Sequence, residues 1–138
     1  MTVGIKDLFS KGKKDAPAAE HKMIDSSHTQ IVDAGGVAVA TIMCERYSEH
    51  ESKPLEHELL DAAARCAHRL IIDMSKVAML ASAGIGSLIS IHQACVKSGG
   101  KMVVCALDPS IEQLMKLTKM DRMLVIVPTR DEAANAVR

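Results

Sequence analysis

Three stretches of this sequence carry residues capable of chemistry: His57-Glu58-Leu59-Leu60-Asp61, the run from Met79 to Gly86, and His92 within an apolar segment. His57 and Asp61 are four residues apart, so a helix would put both on one face, within reach of one metal ion. The order approaches the H-E-x-x-H pattern of zinc proteases but lacks its second histidine. A catalytic zinc takes three protein ligands, and no third is supplied here, so the segment reads as a solvated, charge-rich helix face. His92 falls on an apolar stripe and reads as a core histidine with a satisfied ring nitrogen. Gly84 and Gly86 do not complete a phosphate-cradling G-x-G-x-x-G, because the third position is Ile89. No Ser or Cys has an identifiable base and orienting acid. The sequence therefore predicts no catalytic residue, no metal and no cofactor.

The run Met79-Leu80-Ala81-Ser82-Ala83-Gly84-Ile85-Gly86 is different in kind. Small residues between an apolar strand and a long helix let another backbone or a ligand come close, and a helix N-terminus attracts anions. Ser82 is the one hydroxyl in the cluster. As an N-cap it would accept a bond from a free backbone N–H and stabilise the helix by ~1 kcal/mol. Alternatively, a phosphate on Ser82 would lie against the positive end of the helix dipole and add about two negative charges to an otherwise apolar surface. Local chemistry leaves both readings open.

The elements that must position these residues follow from periodicity. Gln30–Asp33 and Val37–Met43 read as strands joined by a tight turn at Ala34-Gly35-Gly36. Pro54 suits the first turn of a helix, on which Leu55, Leu59, Ala62, Ala63 and Cys66 recur at helical spacing. Leu70–Met74 is a short buried strand. Ser82–Ser98 is a helix with Ile85, Leu88, Ile89, His92, Cys95 and Val96 on its apolar face, ended by Gly99-Gly100. A strand from Lys101, a helix over Pro109–Met120, a strand over Met123–Val127 and a last helix from Asp131 complete the pattern. This alternation predicts an α/β fold, a mixed sheet of four to five strands with helices packed on it. Residues 1–27 are expected to be a flexible extension and residues 28–138 the folded domain. Within the extension, Val3, Ile5, Leu8 and Phe9 could line one side of a short helix, and Lys11–Glu20 reads as a tether.

Composition narrows the function. Acidic and basic residues balance at 17 each, and the only aromatics are Phe9 and Tyr47. A nucleic-acid binder needs a basic surface and often stacking platforms, so no direct nucleic-acid partner is expected. Cys44, Cys66, Cys95 and Cys105 form no C-x-x-C pair and read as free, small apolar residues. No apolar run is long enough to span a bilayer, and a cytoplasmic setting is expected.

From about Thr29 to the C-terminus, and most strongly from Leu70 to Val127, the chain resembles the STAS family, the bacterial anti-sigma factor antagonists. Their hallmark stretch Asp-Ser-(Ser/Thr)-Gly-Leu-Gly corresponds to Ala81-Ser82-Ala83-Gly84-Ile85-Gly86 here. The segment "SGGKMVVCALDPSIEQLMKLTKMDRMLVI" resembles the family's following strand and helix. The resemblance implies a domain that works by binding an anti-sigma factor of the serine-kinase type, with Ser82 as the phosphorylated residue. Met79, Ala81, Ser82, Ala83, Gly84, Ile85 and Gly86 would form the contact surface. Two departures stand out. Ala81 occupies the slot of the family's Asp, and Cys44-Glu45-Arg46-Tyr47 replaces its Gly-x-Leu-Asp segment. Glu45 or Glu49 could take the place of the missing carboxylate in space. The loss at Ala81 favours an alternative, a non-switching STAS subunit of a signalling scaffold or of a lipid-transport ATPase. A homodimer is compatible with either.

Overall fold

The computed structural model describes residues 20–137. The main sheet has six strands: β1 (Glu20–Asp25), β2 (Thr29–Ala34), β3 (Ala38–Ile42), β5 (Arg69–Asp73), β7 (Lys101–Cys105) and β8 (Val125–Val127), in the order β1-β2-β3-β5-β7-β8. The first three pair antiparallel and the rest parallel. Two further two-residue strands, β4 (Arg46–Tyr47) and β6 (Met79–Leu80), form a separate parallel pair. Helices α1 (Glu49–Arg65), α2 (Ser82–Lys97) and α3 (Pro109–Leu117) pack on one face, and α4 (Arg130–Ala136) on the other.

Each parallel crossover needs a helix to return the chain, which is why helices alternate with strands after β3. The larger core lies under α1–α3. Leu55, Leu59, Leu88, Ile91, Ile111 and Met115 meet Ile31, Ala40, Leu70, Ile72, Met102 and Val104 there. The smaller core under α4 is built from Ala133, Ala134 and Val137 against Val39, Ile71 and Val103. Arg130 fixes α4 to the sheet: its Nε donates to Asp73 Oδ2 and its Nη2 donates to Thr41 Oγ1 at 2.7 Å.

The sheet begins at Glu20, inside the segment expected to be a flexible extension, so it has one strand more than predicted. The reason lies in the register of β1. A bulge between Lys22 and Ile24 turns the consecutive residues Met23 and Ile24 onto the core, where strict alternation would bury only one. The strand therefore has no period-two signature. The amphipathic stretch Val3–Phe9 and the tether up to residue 19 lie outside the described residues.

Helix α1 begins five residues before Pro54, because Ser48 and Glu51 build its start. The Glu51 carboxylate accepts from both the Ser48 N–H (3.0 Å) and the Ser48 hydroxyl (2.6 Å). Pro54 costs only the bond to the His50 carbonyl. The Ala34–Val37 turn has Gly35 and Gly36 at φ 67 and 90, as a tight two-residue hairpin turn requires.

The predicted stripe on α2 is rotated. Its buried residues are Gly84, Ser87, Leu88, Ile91 and Cys95, while Ile85, Ile89 and His92 are half-buried and Val96 is 52% exposed. Close approach at Gly84 and Ser87, described below, sets this rotation. His92 also departs from expectation. Its Nδ1 is buried without a hydrogen-bond partner among the described residues.

At the other end of α2, Gly99 has φ 86 and leads into Gly100, whose N–H donates to Cys95 O. A Cβ at Gly100 would overlap the His68 carbonyl, which is backbone and cannot swing away. Gly100→Ala is therefore expected to destabilise the domain by about 2–3 kcal/mol. Gly99→Ala, with open space around the new methyl, should cost only about 1 kcal/mol. Urea unfolding of the two variants checks the order.

Candidate functional site

The site is built where β4 and β6 end. Arg46 lies opposite Met79 and Tyr47 opposite Leu80, so the chain leaves both strands side by side. Ser48 then caps α1 and Ala81 caps α2. Two helix N-termini consequently stand next to each other. Between them opens a pocket of about 680 Å³, lined by Ser48, Glu49, His50, Ala81, Ser82 and Ala83.

Tyr47 holds this arrangement and is fully buried. Its carbonyl accepts from the Ala81 N–H at 3.0 Å. Its hydroxyl donates to Ser87 Oγ at 2.8 Å. A Cβ at Gly84 would lie 2.6 Å from Tyr47 O and 2.7 Å from Leu80 Cδ1, so only glycine allows α2 to pack this closely. Burial pushes the Tyr47 phenol up to about 12, against the lowering effect of its bond to Ser87.

The two helix starts differ electrically. The first turn of α1 contains Glu49 and Glu51, and the first turn of α2 has no acidic residue. Ser48 holds the Glu51 carboxyl below its usual range, first through the hydroxyl bond and then through the backbone bond. The positive end of α1 is thus compensated and that of α2 is bare.

Ser82 is the first residue of α2, not its cap. The cap is Ala81, which offers no side-chain oxygen. The Ser82 side chain is exposed and makes no hydrogen bond among the described residues. The capping role for Ser82 is therefore set aside. Of the predicted contact residues, Met79 (49% exposed), Ser82 and Gly86 are exposed, and Ala81, Ala83 and Ile85 are half-buried. Gly84 is a correction: it is buried, and its small size serves the packing on Tyr47, so it offers no surface to a partner.

The other sequence candidates are accounted for locally. Asp61 pairs with Arg65 at 3.0 Å on the surface of α1. Glu58 accepts from Ser26 Oγ (2.9 Å) and Thr29 Oγ1 (2.6 Å), tying α1 to the β1–β2 turn. Among the described residues no three His, Cys, Asp or Glu side chains converge as a metal site. Cys66, Cys95 and Cys105 are buried free thiols, and Cys44 is a half-buried one. Among the described residues, no helix is long and apolar enough to cross a membrane.

Residues 44–133, from just before β4 into α4, match the family model described as STAS domain. The chain belongs to the STAS domain family. Solved structures similar to this chain include an anti-sigma factor antagonist from Mycobacterium paratuberculosis, 28% identical over 80% of this chain and 92% of that one, with a TM-score of 0.70. An anti-sigma-factor antagonist (STAS) domain protein from Planctomyces limnophilus superposes with a TM-score of 0.69 at 19% identity, covering 80% of this chain and 97% of that one. The Bacillus cell fate determinant SpoIIAA in its phosphorylated form shares the fold at 13% identity, with a TM-score of 0.56 over 87% of this chain and all of that one.

Within this STAS domain, Tyr47, Ser48 and His50 are site residues that sequence reasoning passed over. The available signal was composition: Tyr47 is the single tyrosine of a chain almost without aromatics. Of the two carboxylates considered as replacements for the one missing at Ala81, Glu49 lines the pocket with Ser82. Glu45 instead receives the N–H groups of Ala78 and Met79 on its backbone carbonyl.

With one tyrosine and no tryptophan, the Tyr47 phenol can be titrated alone by near-ultraviolet absorbance. Its folded value lies above the unfolded value of 10.0, so its contribution to stability is present below pH 10 and is lost as pH rises toward 12. Tyrosinate should therefore appear together with loss of helical circular dichroism. In Tyr47→Phe the alkaline transition should move to higher pH relative to that variant's own neutral stability.

Proposed function

We propose that this STAS domain is a cytoplasmic, non-catalytic anti-sigma factor antagonist that binds a serine-kinase anti-sigma factor and is released when Ser82 is phosphorylated. The observation that carries this reading is the state of Ser82. Its hydroxyl is exposed and unbonded at the bare N-terminus of α2, beside an open pocket. A kinase can reach it without unfolding anything, and the resulting phosphate gains from the helix dipole. The contact surface is formed by Met79, Ala81, Ser82, Ala83, Ile85 and Gly86, a mixture of small and apolar side chains around that hydroxyl. Burying a phosphate there without a counter-charge costs several kcal/mol, enough to end an ordinary association.

The neighbours described as anti-sigma factor antagonists support the partner class. Glu49 supports the modification, because it shares the pocket with Ser82 and can stand in for the carboxylate that Ala81 lacks. The same Ala81 favours a second reading, in which the domain is a constitutive STAS subunit of a larger assembly and Ser82 is never charged.

Ser82→Asp should weaken binding to the cognate anti-sigma factor at least about tenfold, or 1.4 kcal/mol, in calorimetric titration. Ser82→Ala should leave both binding and fold stability within about 0.5 kcal/mol of wild type, since no cap is lost. With the cognate kinase and ATP, mass spectrometry should find phosphate on Ser82. Glu49→Gln should slow that reaction, and Ala81→Asp should quicken it. Unaltered binding by Ser82→Asp would remove the switch. Binding without any phosphorylation would favour the constitutive subunit.

A further inference from the structure

The large apolar side chains exposed among the described residues are Met79, Val96, Leu117 and Met123. Met79 belongs to the contact surface beside Ser82. The other three lie at the opposite end of the domain. Strands β5, β7 and β8 are parallel, with Arg69 opposite Lys101 and Val103 opposite Val125, so all three start at one end of the sheet. Helix α2 delivers the chain to that end, stopping at Lys97 with only Ser98, Gly99 and Gly100 before β7. Helix α3 does the same for β8, stopping at Leu117 before the turn Met120–Arg122 and Met123. Val96 is 52% exposed, Leu117 75% and Met123 44%. Single exposed apolar residues need no explanation, but three gathered where two successive crossovers end form a patch.

The same end is basic. Lys97 and Lys116 stand in the last turns of α2 and α3, where a cation also answers the helix dipole. Lys101, Lys119 and Arg122 add charge that no helix end requires, and Arg69 lies beside Lys101 on the neighbouring strand. Lys119 has φ 61, a conformation that glycine adopts more easily, so the cation is kept at a strained position. None of these side chains makes an ion pair among the described residues. Asp121 is the acid within the group. Asp33 reaches the same end three strands away from β7 and is occupied by the Gly36 N–H. Since the whole chain is formally neutral, this end carries segregated positive charge.

We propose that this end of the domain seats on an anionic lipid surface, with Val96, Leu117 and Met123 entering the headgroup–acyl boundary and the basic side chains meeting lipid phosphates. Apolar tips ringed by cations are what such a surface attracts. Lysines suit it, because they act as point charges on flexible stems and need no fixed partner geometry. A nucleic acid would use the charges and leave the three apolar side chains in water. A protein interface of useful affinity is usually anchored by aromatic residues, and the one tyrosine of the chain is buried elsewhere. Ser82 and Val96 are fourteen residues apart on α2, about 21 Å along the helix. A seated domain therefore turns the Ser82 surface toward water, and the lipid contact does not depend on the function proposed for that surface.

Full-length protein should sediment with equimolar phosphatidylglycerol–phosphatidylcholine vesicles and stay in solution with phosphatidylcholine alone, and added salt should release it. Lys119→Glu combined with Arg122→Glu should weaken binding at least about tenfold. Leu117→Ser should weaken it several-fold, and both variants change exposed positions, so circular dichroism should stay as in wild type. No sedimentation with either vesicle would overturn the proposal, as would equal binding to both. So would full binding by the charge-reversed variant, whether or not reversal of Lys11, Lys13 and Lys14 abolishes it. Loss on charge reversal with no effect of Leu117→Ser would mark a general polyanion contact and overturn it too. A lipid-independent dimer that the same variants dissolve in sedimentation equilibrium would make a second copy the occupant. The assay contains no partner protein, so its failure leaves the anti-sigma reading untouched.

Discussion

The arrangement of the site depends on Tyr47. Its carbonyl, ring and hydroxyl engage, in that order, Ala81, Gly84 and Ser87, three points on the cap and first two turns of α2. The carbonyl bond fixes where the helix starts, the contact with Gly84 how close it comes, and the hydroxyl bond how it is turned about its axis. Truncating a buried aromatic ring typically costs about 3–5 kcal/mol, a large share of the stability of a small domain. In a core otherwise built from Val, Ile, Leu, Ala, Met and Cys, that energy is concentrated at one residue. The exposed hydroxyl of Ser82 and the rotated outer stripe of α2 are both consequences of this anchor.

The opposite face of the sheet is held by other means. The core under α4 is made mostly of alanines and valines and buries little area, so apolar contact alone specifies the placement of α4 weakly. The ion pair does more to orient it. Asp73 is nearly buried, and its carboxylate accepts from Arg130 Nε on one oxygen and from the Ser75 N–H on the other. Arg130 also reaches Thr41, so one guanidinium spans β3 and β5. Removing either partner would strand a charge, which makes alternative dockings of α4 costly. This lashing lies on the face of the sheet away from α1–α3.

The legible parts of the sequence were those with strong local patterns. The hairpin at Gly35-Gly36, the strands β5 and β7, and the start of α2 at Ser82 all follow from glycine placement and runs of apolar residues. Three features were hidden, each for a physical reason. Strand β1 escaped because its bulge puts neighbouring residues on the same side. The β4–β6 pair escaped because two-residue strands carry no periodicity and exist only by pairing across a long sequence separation. The facing residues of α2 were misassigned because Gly84 and Ser87 count as polar or neutral in any hydropathy pattern, yet both are buried against Tyr47. Periodicity saw Ile89, His92 and Val96 as interior. A close backbone approach, which hydropathy cannot register, turned Val96 outward and left Ile89 and His92 only half-buried.

The contrast between the two helix starts gives the site its chemical character. At α1 the dipole is already answered by Glu49 and by Glu51, whose carboxylate is held by Ser48, so further negative charge there gains nothing. At α2 the cap is Ala81, the first turn has no acid, and the N–H groups of Ser82 and Ala83 have no side-chain oxygen to answer them. A negative charge on the Ser82 oxygen would therefore be tolerated by the fold, which offers it a dipole and solvent. It would meet one opposing group in the pocket, Glu49, across an exposed and screened gap. A partner closing over Met79 and Ile85 would remove the solvent and the screening together, so the same charge becomes costly only once the surface is covered. Under the proposed function, the free and the covered surface would then bear a charge at Ser82 differently, which is the property a partner-controlled switch would need.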